Sequence, residues 1–186
     1  MGTSLLGGAH QLAVPIIRLN EFLPDVQEIG QGVVVLQPGW EQVLESNRKA
    51  FTAEFVQRSR FISAFPASMT AAEFVDKLNA NAGNPLSLSE RNRLVTDLST
   101  NAKTRAEVVR SVAEHPNLIS GEFNRAFVLM QYFGYLRRNP NDSPDSDHTG
   151  FDFWLTKLNQ FNGNYIAAEM VKAFISSSEY RQRFGP

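Results

Sequence analysis

The chain has 186 residues, eighteen basic and nineteen acidic side chains, a formal charge of −1 and no cysteine. That length suits one compact domain or two small ones. A near-neutral balance excludes a general field for gripping nucleic acid or an anionic membrane, and the lack of cysteine excludes disulfides, thiolate nucleophiles and Cys-rich zinc sites.

Residues 1–39 read as an irregular arm, because Gly7, Gly8, Pro15, Pro24, Gly30, Gly32, Pro38 and Gly39 punctuate them too densely for long helices. Within the arm the sequence predicts a single helical turn near Asn20–Leu23 and an extended stretch over Val33–Leu36. The opening "MGTSLLGGAHQLAVPIIRL" has neither the basic start nor the continuous apolar stretch of a secretory signal. The longest apolar run, Phe127–Leu136, is about half of the ~20 residues a membrane span needs, so no span is expected.

From Trp40 the apolar period becomes helical. Trp40, Val43, Leu44, Phe51, Phe55 and Ile62 keep one face apolar over several turns. Thr70/Glu73, Ser87/Glu90 and Thr104/Glu107 then have the Ser/Thr-to-Glu spacing of capping boxes, in which a hydroxyl and a carboxylate satisfy orphan backbone donors reciprocally. Further helices are predicted over Phe123–Arg137, Gly150–Asn159 and Asn164–Arg183, the last with a break near Ser176–Ser178. Phe127 and Trp154 are placed in the core by this register. No alternating strand pattern competes, and the fold class is all-α.

The two halves repeat each other. Phe51, Phe55, Val56 and Phe61 match Phe123, Phe127, Val128 and Phe133 at a separation of 72. Phe74, Lys77, Leu78, Asn79 and Gly83 match Trp154, Lys157, Leu158, Asn159 and Gly163 at 80, and Glu107, Val109, Arg110 and Val112 match Glu169, Val171, Lys172 and Phe174 at 62. The shifts fall in loops, where insertions are tolerated. This pattern predicts two diverged three-helix repeats, over 40–118 and 119–186, the first with an extra helix around Leu86–Ala102 and the second with a lengthened acidic loop.

In the second half, "YLRRNP", Gly150, "FDFW", "KLNQFNG" and "VKAFISSSEYRQRFG" resemble the bacterial family called domain of unknown function 4214. The hallmarks of that family are a Leu-Gly-Arg-x-Pro-Asp turn, a Gly-x-x-Tyr-Trp helix start and a closing Phe-x-x-Ser-x-Glu-Tyr/Phe. The resemblance covers 119–186 well and 40–118 as a diverged copy. This chain departs from it at Asn141, where the family has Asp, in its longer loop, and in a first copy without the Arg-x-Pro turn or the Trp. The resemblance implies a non-catalytic repeat, at the C-terminal end of a larger exported or surface bacterial protein with upstream domains. It transfers no catalytic residue. A more distant likeness to phycobilisome linker domains carries no function over.

The loop over 139–150 raises a metal question. Asp145, Asp147 and Thr149 with Gly150 resemble the first half of an EF-hand loop, and Asp142 and Asp152 could complete an oxygen shell for calcium. The position that needs a bidentate Glu is Thr156, and Asn, Asp, Ser and Pro favour turns for backbone reasons alone. The preferred expectation is therefore a connector, with Asp147 or Thr149 capping the next helix and calcium as the alternative. Trp154 and Tyr165, with Arg138 beside them, are the candidate ligand-binding residues, since flat rings stack on sugar faces. His10, His115 and His148 form no zinc pair, and no nucleophile elbow or phosphate loop occurs, so no enzyme is expected. The expected role is attachment to a protein partner, with a carbohydrate- or calcium-binding module as the alternative.

Overall fold

The computed structural model describes residues 16–185, whose regular elements are all helices, with no strand among them. In chain order the helices are α1 (Leu19–Gly30), α2 (Trp40–Phe55), α3 (Ser59–Ala64), α4 (Ala71–Asn81), α5 (Leu88–Ser99), α6 (Arg105–Ala113), α7 (Pro116–Gln131), α8 (Thr149–Gln160), α9 (Met170–Ser176) and α10 (Ser178–Phe184). A π-helical turn, Tyr132–Leu136, continues α7. The residues form two compact units, one over 20–119 and one over 120–185 together with residues 16–19.

The arm differs from expectation. Its first fifteen residues, with His10, Gly7, Gly8 and Pro15, lie outside the described residues. Residues 19–30, expected to be mostly irregular, form the twelve-residue helix α1 with Pro24 inside it. The ring of Pro24 removes one backbone hydrogen bond, and tertiary partners offset that loss. Arg58 pairs with Asp25 at 2.9 Å, Arg60 with Glu21 at 2.8 Å, and Asn47 Nδ2 donates to the carbonyls of Ile29 and Gln31 at the end of the helix. Val33–Leu36 forms no strand: the chain turns over 34–37, where Gln37 N donates to the Val34 carbonyl at 3.1 Å, and Leu36 sits 91 % exposed with φ of 73°.

In the first unit all three capping boxes form. Thr70 N, for example, donates to Glu73 Oε2 at 2.8 Å while Glu73 N donates back to Thr70 Oγ1 at 3.2 Å. The core packs Phe61, Phe65, Phe74, Val75, Leu94, Val108 and Val112 together. The inserted helix α5 contributes Leu94 to it and is tied to α4 by the Arg91 fork on Asp76, both bonds at 2.7 Å. Arg105 lies 4.6 Å from the Phe74 ring and donates to the carbonyls of Phe65, Pro66 and Met69, stitching down the α3–α4 loop.

In the second unit the order repeats, α7 with its π turn standing for α2–α3, α8 for α4 and α9 for α6. Phe133 is buried like Phe61, and Phe174 like Val112. Gly83 and Gly163, matched in sequence, both take left-handed φ (78° and 80°) as the chain leaves its helix, a conformation only glycine adopts without strain. Where α2 and α3 are interrupted over 56–58, α7 runs on as a π turn. Trp154 and Phe127 are half-buried rather than fully buried. The fully buried ring of α8 is Phe151, one turn before Trp154. The break predicted near Ser176–Ser178 occurs at Ser177, whose Oγ accepts from Tyr180 N and caps α10.

Candidate functional site

The long connector between the π turn and α8 is organised by one arginine. Arg138 is only 7 % exposed, and its guanidinium lies 5.2 Å from the Tyr132 ring. Nε and Nη2 grip Glu179 of α10 as a fork at 2.7 and 3.0 Å, and Nη2 also donates to Asp145 Oδ2 at 2.7 Å. Nη1 donates to the carbonyls of Asn139, Pro140 and Asp142 at 3.0–3.1 Å. A planar five-donor fork suits this arrangement, since it holds two carboxylates and three loop carbonyls at once. Burial works against its charge, and Glu179 and Asp145 outweigh that and raise its pKa. Arg105 performs the same task in the first unit from another position, so each repeat fastens this loop by an arginine set over a core ring.

The aromatic partner is buried as well. Burial, followed by the charge of Asp145, raises the Tyr132 phenol above its ordinary value. A Cβ on Gly150 would come within 2.8 Å of Tyr132 Oη, so the first turn of α8 requires glycine there.

The four acidic residues considered for calcium serve separate protein contacts. Asp142 accepts from Arg18 Nη2 at 2.9 Å and from the backbone and side chain of Asn139 at 3.1 and 2.7 Å. Burial would raise its carboxyl, but the Asn139 bonds and the Arg18 charge hold it below the ordinary range. Asp145 is paired to Arg138. Asp147 Oδ1 accepts from Thr149 N at 2.8 Å at the start of α8, and that backbone donor lowers its pKa. Asp152 lies on α8 itself. Among the described residues no three carboxylates or histidines are grouped as they would be around a metal ion. The connector also receives the arm: Leu19 N donates to Asn139 Oδ1 at 2.8 Å, beside the Arg18–Asp142 pair.

The three residues nominated for ligand binding do not form one site. Arg138 is consumed by the network above. Trp154 packs on Phe174 (5.5 Å between ring centres) and meets the edge of Phe153 (5.1 Å). Tyr165 is 42 % exposed and stacks at 5.0 Å on Phe127, which stacks in turn on Phe123 at 6.4 Å. Phe123, 59 % exposed, and Phe127 were not nominated, although their i, i+4 spacing on α7 was a readable sign that the rings share a face. Asn124, on the same face, donates to Asn159 Oδ1 at 2.8 Å.

Among the described residues, exposed aromatic side chains are confined to the second unit, which also exposes Ile166 and Ile175. In the first unit the large exposed apolar side chains are aliphatic, including Val35, Leu36, Ile62, Leu88 and Ile119, whereas the second unit exposes Phe123, Phe153, Phe161, Tyr165 and Phe184. Phe153 and Phe161 line a shallow groove along α8 with Thr156, Lys157 and Gln160. No helix among the described residues is long and apolar enough to cross a membrane. No family model matches the sequence, and no curated protein or solved structure matches it either.

Proposed function

We propose that the chain is a non-catalytic helical repeat module of a larger exported or surface bacterial protein, and that its second repeat attaches that protein to a partner at the cell envelope. The observation that carries this reading is the concentration of exposed rings on the second unit, where Phe123, Phe153, Phe161 and Tyr165 are 41–59 % exposed. Aromatic side chains supply large contact area at low entropic cost and are enriched where proteins recognise partners. The rings fall into two groups, Phe153 and Phe161 along the α8 groove and Phe123 with Tyr165 on either side of Phe127, and exposed apolar groups of this kind mark interaction sites. Arg138 and Asp145 at the connector, with Glu179 of α10, are committed to one another. The export and the larger parent rest on the family resemblance alone.

Co-sedimentation with isolated bacterial envelope fragments tests this. Saturable retention of the purified chain, with no soluble product released, is expected, and serine at Phe153 and Phe161 together with Phe123 and Tyr165 should abolish it. A chain that stays in the supernatant, or that releases soluble fragments, overturns the proposal.

A further inference from the structure

We infer that Phe123, Phe127 and Tyr165 form a platform for a neutral glycan chain, with the Asn124–Asn159 amide pair as its polar guide; this rests on the attachment reading and names the chemistry of the partner. The three rings form one row of near-parallel planes, tilted by 26° and 29° between neighbours. The outer members, Phe123 and Tyr165, are 59 % and 42 % exposed, so ring surface stays open on both flanks. Pyranose rings present C–H faces that pack on such surfaces and hydroxyl edges that need donors and acceptors close by.

Those polar groups are present and uncharged. Asn124 Nδ2 is spent on Asn159 Oδ1, which leaves Asn124 Oδ1 and Asn159 Nδ2, one acceptor and one donor, without a hydrogen-bond partner among the described residues. A Cβ at position 163 would meet Asn124 Oδ1 at 3.1 Å, so glycine there leaves room for the amide. Gln160 and Asn162 are exposed on the same turn. Charges on α7 and α9 are paired within the protein, Arg125 with Glu122 at 2.8 Å and Lys172 with Glu169 at 3.0 Å, and on α8 the Lys157 ammonium lies over the Trp154 ring at 5.2 Å. A surface of rings and amides, with no cluster of cations, suits a hydroxyl-rich neutral ligand better than nucleic acid or an acidic polymer, which several basic groups would have to grip.

The first repeat supplies the contrast. Its matched rings, Phe51 and Phe55, lie 5.9 Å apart with planes tilted by 35°, but the Arg58 guanidinium covers both at 5.2 and 5.3 Å and is itself bound to Asp25 and Glu54. The residue matching Arg58 is Met130, and the second repeat adds Tyr165 where the first has the inserted segment. One copy of the ring pair is thus sealed by a cation and the other is left open and extended.

Titration calorimetry and saturation-transfer NMR with cellohexaose, chitohexaose, maltohexaose and mannohexaose test the inference on the whole chain. At least one hexasaccharide should bind saturably, with Phe123→Ala and Tyr165→Ala each weakening it about tenfold, the scale of one lost ring contact. Tyr165→Leu keeps an apolar contact with Phe127 but removes the flat ring, so it should lose affinity while melting like the wild type. Leu88→Ala, exposed on the first unit, should bind as the wild type does. Absence of binding to all four sugars, or binding that survives Phe123→Ala/Tyr165→Ala, overturns the glycan platform. If the sugars fail while the chain still sediments with envelope fragments, the glycan is wrong and the attachment reading stands.

Discussion

Replacing Arg138 with Met removes six hydrogen bonds from a buried site and keeps most of the side-chain volume. Deleting one partner of a buried ion pair costs about 3–5 kcal/mol, because the other charge is left without compensation. Here Asp145 is 39 % exposed and recovers water readily, whereas Glu179, at 21 %, does so less well, and three loop carbonyls lose their donor. The lower end, about 3 kcal/mol, is therefore expected. In a chain of this size that corresponds to a Tm lower by roughly 6–12 °C. Arg138→Lys should recover little, since an ammonium cannot fork onto Glu179 and reach the carbonyls together. Arg137→Met, on the exposed neighbour, should stay within about half a kcal/mol. The double variant Arg138→Met/Glu179→Leu should lose less than the sum of its parts, because no buried carboxylate is then stranded on α10. Urea unfolding of the four variants makes the measurement. An Arg138→Met midpoint equal to that of the wild type would refute the claim that this arginine organises the connector.

Gly150→Ala should destabilise by about 1–3 kcal/mol despite the better helix propensity of Ala, because the new methyl meets Tyr132 Oη at 2.8 Å. Adding Tyr132→Phe should relieve part of that cost, and strictly additive losses in thermal melts would sink the explanation. Millimolar calcium should leave the melting temperature unchanged, since binding would have to break the Arg138–Asp145 and Arg18–Asp142 pairs; a rise equivalent to about 2.7 kcal/mol at a hundredfold excess over Kd would restore the calcium site. In the first unit, the hydrogen bonds from Arg110 hold the Glu45 carboxyl at about 2, against an ordinary 4.5. A depressed carboxyl contributes stability that is present above its unfolded value and lost as pH falls through its folded one. Stability should accordingly decline between pH 4.5 and about 2, and Glu45→Gln should flatten that slope when urea midpoints are followed with pH. An unchanged slope would exclude Glu45 as a contributor.

What could be read from the sequence was local or periodic. The capping boxes at Thr70, Ser87 and Thr104 formed because each needs only a hydroxyl and a carboxylate three residues apart. Gly83 and Gly163 ended their helices alike because a left-handed turn is a property of one residue and its neighbours. The helical period set the all-α class and the repeat.

Tertiary contacts decided the rest. Helix α1 contradicts its own Pro24 and is held by Asn47 of α2, Arg58 of the turn after it and Arg60 of α3, so local punctuation misread it. From the sequence Arg138 stands only as a candidate ligand-binding residue. Its role depends on Glu179, forty-one residues away, and nothing near Arg138 in the chain announces that distance. Phe123 and Tyr165 sit in different elements and become one surface only when α7 packs beside the turn after α8. Which matched ring pair is open and which is sealed follows from where a guanidinium folds back. Burial and long-range pairing, rather than residue type, settle that.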